Sequence, residues 1–478
     1  MIKRQKPQWK KEKPKVIFNM NALTFITCGS VDDGKSTLIG RLLMDSKAVL
    51  SDQLASASRR NSLTGNGEQP DLAAFTDGLQ AEREQGITID VAWRYFSTPI
   101  RKYIIGDTPG HEQYTRNMVT AATNADAAVV IVDATKLDWQ QAGLSLLPQT
   151  RRHTLLLKLL RVDSVVFAVN KLDAVADAAM AFAHIGNALR LFSQEAGINA
   201  PSIVPISALQ GYNVVSHTEE WAGYNGPSLL ELLETLPTRN QIDLDTAHAV
   251  EAKAKAKALS PDIRDTGDTG HTEHTPHFNV QWVEQRAATP KQPTGRRIYW
   301  GRLVAGQLRV GDVLRVDTSG ETATVATVWS DVRADLASTL VDSGRSYGLV
   351  LDRELDISRG DWLLAPAADL GQQQVTASVA WLDNTPMRVG GSYWALHGHR
   401  WTKARVTAID HQIDIQTLGT APVQQLDANG IGQVRIQFQA KLPVKPYAIS
   451  RGLGSLILVD ITTHATAGAV LVTEVAAS

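Results

Sequence analysis

At 478 residues the chain is too long for one hydrophobic core, so two to four domains are expected; its 43% hydrophobic and 20% charged residues are those of ordinary globular protein. A formal net charge of −1 gives no electrostatic case for nucleic acid as the main partner, and the single cysteine, Cys28, excludes an intrachain disulfide. No apolar run reaches the roughly 18 residues of a membrane span, so the expectation is a cytoplasmic protein with no membrane and no nucleic-acid partner.

In chain order, residues 1–20 read as a flexible basic arm: Met1 to Lys15 carries seven Lys/Arg and one acid, with no apolar segment of a secretory signal behind it. Leu23-Thr24-Phe25-Ile26-Thr27-Cys28 is apolar and β-branched, as a buried strand should be, and Cys28 at its end reads as a small core residue. Then comes Gly29-Ser30-Val31-Asp32-Asp33-Gly34-Lys35-Ser36, with two glycines bracketing four residues and Lys-Ser behind them. A helical pattern starts at Thr37 and runs to Leu43. Strand, glycine loop and helix in that order make a phosphate cradle. Gly29 and Gly34 let successive N–H groups converge on phosphate oxygens, and the helix adds its positive end. Lys35 is expected at the β and γ phosphates and the Ser36 hydroxyl on Mg²⁺.

Asp45 to Asp71 is polar and reads as a long loop. Asp77-Gly78-Leu79-Gln80-Ala81-Glu82-Arg83-Glu84-Gln85-Gly86-Ile87-Thr88-Ile89 follows. Beside a phosphate loop it suits a switch in which Thr88 orders around Mg²⁺ and the γ-phosphate and lets go after hydrolysis. Tyr103-Ile104-Ile105-Gly106 is a second buried strand, ending on Asp107-Thr108-Pro109-Gly110-His111. Asp107 at the strand tip can hold Mg²⁺ through water, Gly110 can donate its N–H to a γ-phosphate, and His111 can orient the attacking water.

Ala127 to Val132 is the next strand, and a helix is expected around Leu155 to Leu160. Val165 to Val169 then leads into Asn170-Lys171-Leu172-Asp173, which selects the base. Guanine presents N1–H and N2–H₂ side by side, and the Asp173 carboxylate can accept both; adenine would set lone pair against lone pair. Lys171 can lay its stem along the base, and Asn170 can brace the loop. Thr135-Lys136-Leu137-Asp138 imitates this signal one strand too early and is set aside. Pro201 to Ile206 is the last strand, and Ser207-Ala208-Leu209 after it can offer N–H groups to the guanine O6. The reading is a GTP and Mg²⁺ site at the carboxyl edge of a mostly parallel, doubly wound α/β sheet spanning 21–238.

The composition shifts over 239–276, with Ala-Lys-Ala-Lys-Ala-Lys at 252–257 and histidines at 271, 274 and 277, and reads as a linker or insertion. Beyond it, short alternating strands with glycine turns suggest two antiparallel β-barrels over 277–367 and 374–478. Gly301 to Asp312 reads as a hairpin with glycines at its corners.

These motifs, in this order and followed by two β domains, resemble a translation-factor-type GTPase of the elongation factor Tu class. Asp77 to Ala92, Asp107 to Met118, Gln149-Thr150-Arg151-Arg152-His153 and Leu355 to Asp361 are more closely similar to the large GTPase subunit of bacterial sulfate adenylyltransferase. Tyr299-Trp300 departs from the small residues of that pattern before Gly301. The resemblance implies a two-subunit enzyme. A small subunit joins ATP and sulfate into adenosine 5′-phosphosulfate and pyrophosphate, and GTP hydrolysis on this chain drives it. No second phosphate loop and no Ser-Gly-Gly-x-Asp-Ser loop occurs in the 478 residues. The alternative is an elongation-factor-like GTPase delivering aminoacyl-tRNA, which would share the same site and barrels.

Overall fold

A computed structural model describes residues 22–46, 72, 88, 90–141, 143–239, 241–242, 275–286, 296–330, 340–368 and 371–475. The basic arm, most of the polar loop, the switch segment around Thr88 and most of the 239–276 linker lie outside them. The first unit holds strands β1 (Leu23–Cys28), β2 (Ala92–Ser97), β3 (Lys102–Asp107), β4 (Ala127–Asp133), β5 (Ser164–Asn170) and β6 (Ser202–Pro205). Their order in the sheet is β2-β3-β1-β4-β5-β6, all parallel except β2, which runs antiparallel to β3. Helices α1 (Lys35–Asp45), α2 (Thr115–Ala122), α3 (Pro148–Leu159), α4 (Ala178–Glu195) and α5 (Leu229–Thr235) accompany it.

The strands read as continuous apolar runs because both faces of the sheet are covered. Along β4, Ala128, Val130 and Val132 pack into one core with α2, α3 and α4, while Ala127, Val129 and Ile131 pack into the other with α1 and α5. The period of two along a strand divides one run between two cores. Helix α5 shows how local chemistry fixes an end. Ser228 accepts from the Glu231 N–H and the Glu231 carboxylate accepts from the Ser228 N–H, a reciprocal cap. Buried Arg101 then donates to the Leu233 and Leu236 carbonyls at the other end, at 3.3 and 2.5 Å.

The second half is built from β7 (His277–Arg286), β8 (Arg296–Ala305), β9 (Gln307–Arg309), β10 (Val313–Val316), β11 (Thr322–Trp329), β12 (Leu340–Asp342), β13 (Ser346–Leu351) and β14 (Trp362–Leu364). Of these, β10-β11-β13-β8-β7-β14 close into an antiparallel barrel. The chain continues through β15 (Gln372–Trp381), β16 (Met387–Arg388), β17 (Ser392–His397), β18 (Arg400–Ile413), β19 (Thr420–Ala421), β20 (Gln425–Leu426), β21 (Ile431–Leu442), β22 (Ser455–Asp460) and β23 (Thr466–Val475), with the short helix α6 (Arg451–Gly454) between β21 and β22. There β17-β22-β23-β15-β21-β18 form one sheet, and the pairing of β17 with β18 joins its ends into a ring. The expected hairpin at Gly301 to Asp312 is not formed. Gly301 lies inside β8, the chain turns at Gly306 with φ +76°, and β9 pairs with β12 instead of β8. The turn residue was legible, but the partner of a three-residue strand is set by tertiary packing.

The second barrel docks on the α/β unit through α3. The Tyr447 hydroxyl donates to the Leu160 carbonyl at 2.8 Å, and Arg161 and Arg151 donate back to the barrel carbonyls of Tyr447 and Ile415, both at 2.9 Å. The two barrels meet where Arg400 donates to Asp317 and Asp361, and where the rings of Trp362 and His397 stack with centroids 5.1 Å apart. No helix among the described residues is long and apolar enough to cross a membrane.

Buried His277 and His397 generate a pH prediction. Burial pushes each imidazole down from 6.5 to about 4. His397 donates its Nε2–H to the Leu453 carbonyl at 3.0 Å, while its Nδ1 has no partner among the described residues. The unfolded chain takes up these protons near 6.5 and the folded chain only near 4, so the protonated unfolded state gains as pH falls through that window. Stability is therefore full above pH 6.5 and drops by about 1.4 kcal/mol per pH unit per histidine on the way to 4. Denaturant midpoints at pH 7 and pH 5 should show this fall, and His397→Gln should make it shallower. An equal fall in the variant would remove His397 from the effect.

Candidate functional site

All the predicted strand-end motifs meet at the carboxyl edge of the parallel sheet, since β1, β3, β4, β5 and β6 point the same way. The loop after β1 has a particular polar order. Each of its carbonyls from residue 29 to residue 33 accepts from a side-chain donor. Lys35 Nζ donates to Gly29 and Ser30 at 3.2 and 2.6 Å, Lys136 to Val31, Lys171 to Asp32 at 2.5 Å, and Asn170 Nδ2 to Asp33 at 2.8 Å. The Gly34 carbonyl then accepts the first bond of α1 from the Leu38 N–H at 2.9 Å. The donors to Val31 and Asp33 do not line the cavity described below, so these two carbonyls are held off it and N–H groups can face an anion there. The Ser30 and Asp33 N–H groups are exceptions, donated to Asp33 Oδ2 at 2.6 Å and to the Ser30 carbonyl at 3.5 Å.

Inside lies a cavity of about 290 Å³ lined by Val31, Asp32, Gly34, Lys35, Ser36, Thr37, Thr88, Gly110, His111 and Lys171. Thr88 reaches it although its neighbours are outside the described residues. Burial pushes the Lys35 ammonium below its ordinary value, with the Asp107 and Asp33 carboxylates opposing the shift. Ser36 Oγ donates to Asp107 Oδ2 at 3.3 Å, and Thr27 Oγ1 donates to Asp107 Oδ1 at 3.3 Å. Paired hydroxyl and carboxylate oxygens beside a phosphate cradle suit a hard cation such as Mg²⁺. Cys28 is buried beneath them, and burial pushes its thiol up to about 12, so it stays a neutral core residue.

At the base-binding end, Asn170 is a strut between two loops. Its Nδ2 holds the Asp33 carbonyl, and its Oδ1 accepts the Ala208 N–H at 2.9 Å. Gly34 must be glycine here, because a Cβ would come within 2.5 Å of the Asn170 amide and φ is +95°. Asp173 is exposed on the short turn Leu172–Ala174. The N–H groups of Ser207 and Ala208 are donated to the Tyr212 carbonyl at 3.1 Å and to Asn170 Oδ1 at 2.9 Å. Arg41 of α1 was missed by sequence reasoning. It donates to the Ala208 carbonyl at 3.2 Å and to that of Leu209.

At the hydrolytic end, the Thr108 hydroxyl donates to the Thr27 carbonyl at 2.6 Å and pins the turn after β3. Pro109 follows, and Gly110 packs on the phosphate loop; a Cβ there would lie 2.6 Å from Lys35 Nζ and 2.9 Å from the loop backbone. His111 lines the cavity, its ring edge-on to Tyr114 with centroids 6.3 Å apart. Behind this turn stands Gln149 of α3. Its amide donates to the Gly110 carbonyl at 3.2 Å and to His153 Nε2 at 2.9 Å. Burial, aided by the charges of Lys35 and Arg152, pushes the His153 imidazole down to about 3, so it remains a neutral acceptor.

Residues 20–239 match the elongation factor Tu GTP binding domain family, and residues 374–473 match the GTP-eEF1A C-terminal domain-like family. Three bacterial proteins named sulfate adenylyltransferase subunit 1 are each 40% identical to the chain. That of Laribacter hongkongensis aligns over 94% of this chain and 84% of its own length. Those of Citrobacter koseri and Vibrio campbellii each align over 95% of this chain and 86% of their own. The chain belongs to the sulfate adenylyltransferase subunit 1 family, with a GTP-binding domain of the elongation factor Tu type.

Proposed function

We propose that this chain is the GTP-hydrolysing subunit of a cytoplasmic sulfate adenylyltransferase, paired with a small subunit that makes adenosine 5′-phosphosulfate and pyrophosphate from ATP and sulfate. The observation that carries the reading is the cavity lined by Lys35, Ser36 and His111, with Asp107 bonded to Ser36 behind it, in a chain of this family. In the GTP complex the loop N–H groups and Lys35 bind the β and γ phosphates. Ser36, Thr88 and Asp107 are the oxygens that would hold Mg²⁺, whose charge neutralises the phosphate oxygens when it is bound. His111 orients a water whose oxygen bonds to the γ phosphorus as the bond to the β–γ bridging oxygen breaks, leaving GDP and phosphate. Asp173 accepts from guanine N1–H and N2–H₂, Lys171 flanks the base, and the Ser207-Ala208-Leu209 turn offers N–H groups to O6.

His111→Ala should slow hydrolysis by about 10²-fold, the scale of one positioned proton-handling group, and leave GTP affinity intact. Equal turnover of variant and wild type in the presence of the partner would remove His111 from the mechanism. Asp173→Asn should exchange GTP for xanthosine triphosphate, whose C2 oxygen needs a donor; a variant that still prefers GTP sinks the base assignment. The function itself is tested in the reconstituted pair by following adenosine 5′-phosphosulfate and pyrophosphate. Alone the chain should hydrolyse GTP slowly and make neither product. With the small subunit, GTP should raise the yield and a non-hydrolysable analogue should not sustain the gain. A yield indifferent to GTP, or tight binding of aminoacyl-tRNA, would reject the reading.

A further inference from the structure

Lys136 stands in the Thr-Lys-Leu-Asp stretch that mimics the base-recognition motif, yet its ammonium lies on the phosphate loop, more than a hundred residues away in the chain. It reaches Asp33 Oδ1 at 2.9 Å, donates to the Val31 carbonyl, and sits 3.8 Å from Asp133 Oδ2. Asp133 is the last residue of β4 and the register partner of Asn170 on β5. Its Oδ2 also accepts from Lys171 at 2.7 Å, while Thr135 donates to Oδ1 through both N–H and hydroxyl, at 2.9 and 2.6 Å. The charges therefore alternate along one line: Asp33, Lys136, Asp133, Lys171. Two lysines, one from each strand end, cap the consecutive carbonyls of Val31 and Asp32.

The Asp33 side chain is fully buried and does not line the nucleotide cavity. It works on the loop itself, with Oδ2 holding the Ser30 N–H at 2.6 Å. A buried carboxylate beside a triphosphate is costly unless a cation neutralises it. Burial pushes the Asp33 carboxyl up, and the Lys136 hydrogen bond and charge, with the charge of Lys35, pull it back.

We infer that Lys136 and Asp33 are a positioning pair for the nucleotide: Lys136 neutralises Asp33 and holds the Val31 carbonyl outward, keeping the loop's N–H groups turned to the phosphates. The pair touches the loop and not the reacting atoms, so it acts on binding rather than on the chemical step. The inference rests on the GTPase reading above.

The test is steady-state GTP hydrolysis by the full-length chain with its partner, separating KM from kcat. Lys136→Met should raise the KM for GTP about tenfold or more with kcat changed less than threefold, the pattern of lost binding that is uniform between ground and transition state. A purely structural lysine would instead lower kcat through a smaller folded fraction and leave KM alone. Lys136→Arg should keep KM within about threefold of wild type. Asp33→Asn combined with Lys136→Met should recover most of the lost KM, since the side-chain carbonyl of Asn still accepts the Ser30 N–H and no buried charge remains. That double variant also decides the matter if Lys136→Met alone fails to fold. An unchanged KM in Lys136→Met, a fall in kcat alone, or a double variant no better than the single one overturns the inference. A wild-type chain that does not bind GTP would overturn the GTPase reading itself, and this pairing with it.

Discussion

A phosphate loop can bind anions only if its carbonyls point away from the ligand, and an isolated run of backbone has no reason to choose that orientation. Here each carbonyl from residue 29 to residue 33 is held by a side-chain donor. Lys35 takes two carbonyls, Lys136 and Lys171 take one each, and Asn170 takes the last before the helix begins. Three of these four side chains come from the ends of β4 and β5. The anion site is therefore a property of the assembled sheet. The left-handed backbone at Asp32, φ +62°, is held in the same way, by the Lys171 bond to its carbonyl. Loss of the Asn170 donor would leave the buried Asp33 carbonyl to find another partner, at a cost of about 1–3 kcal/mol.

The parts of this site that were legible in the sequence are those where one short segment carries both the chemistry and its structural context. Gly29 to Ser36 announces itself because strand, loop and helix are contiguous. Asp107 to His111 and Asn170 to Asp173 do so because each follows a buried strand directly. Parallel winding then brings them to one edge without further information. The illegible parts are the long-range braces. Arg41 gives no signal of its contact with the 208–209 carbonyls, and Gln149 none of its contact with Gly110. Lys136 was misleading in a specific way: its neighbours imitate the base motif, while its ammonium serves the loop. The same limit applies to the barrels, where alternation identified strands but not the pairing of β9 with β12.

Helix α3 joins the hydrolytic turn to the second barrel. At its start Gln149 holds the Gly110 carbonyl; further along, Arg151 holds the Ile415 carbonyl, and just past its end Arg161 and Leu160 meet Tyr447. One rigid element therefore touches both the residue that would sense a γ-phosphate and the domain beyond. Spatial continuity of this kind is not coupling by itself, because coupling needs an element with two arrangements whose balance both ends bias. Gly110 is the point of contact between this helix and the phosphate loop. It has no side chain, it packs within van der Waals reach of Lys35 and the loop, and its carbonyl is tethered by a single amide donor at 3.2 Å. Under the function proposed above, a γ-phosphate that recruits the Gly110 N–H would act on a turn held by that tether. The Gln149 tether is in turn positioned by a buried histidine that stays neutral across the physiological range. The tether on the Gly110 carbonyl therefore does not change with protonation in that range, because its partner His153 remains an acceptor throughout.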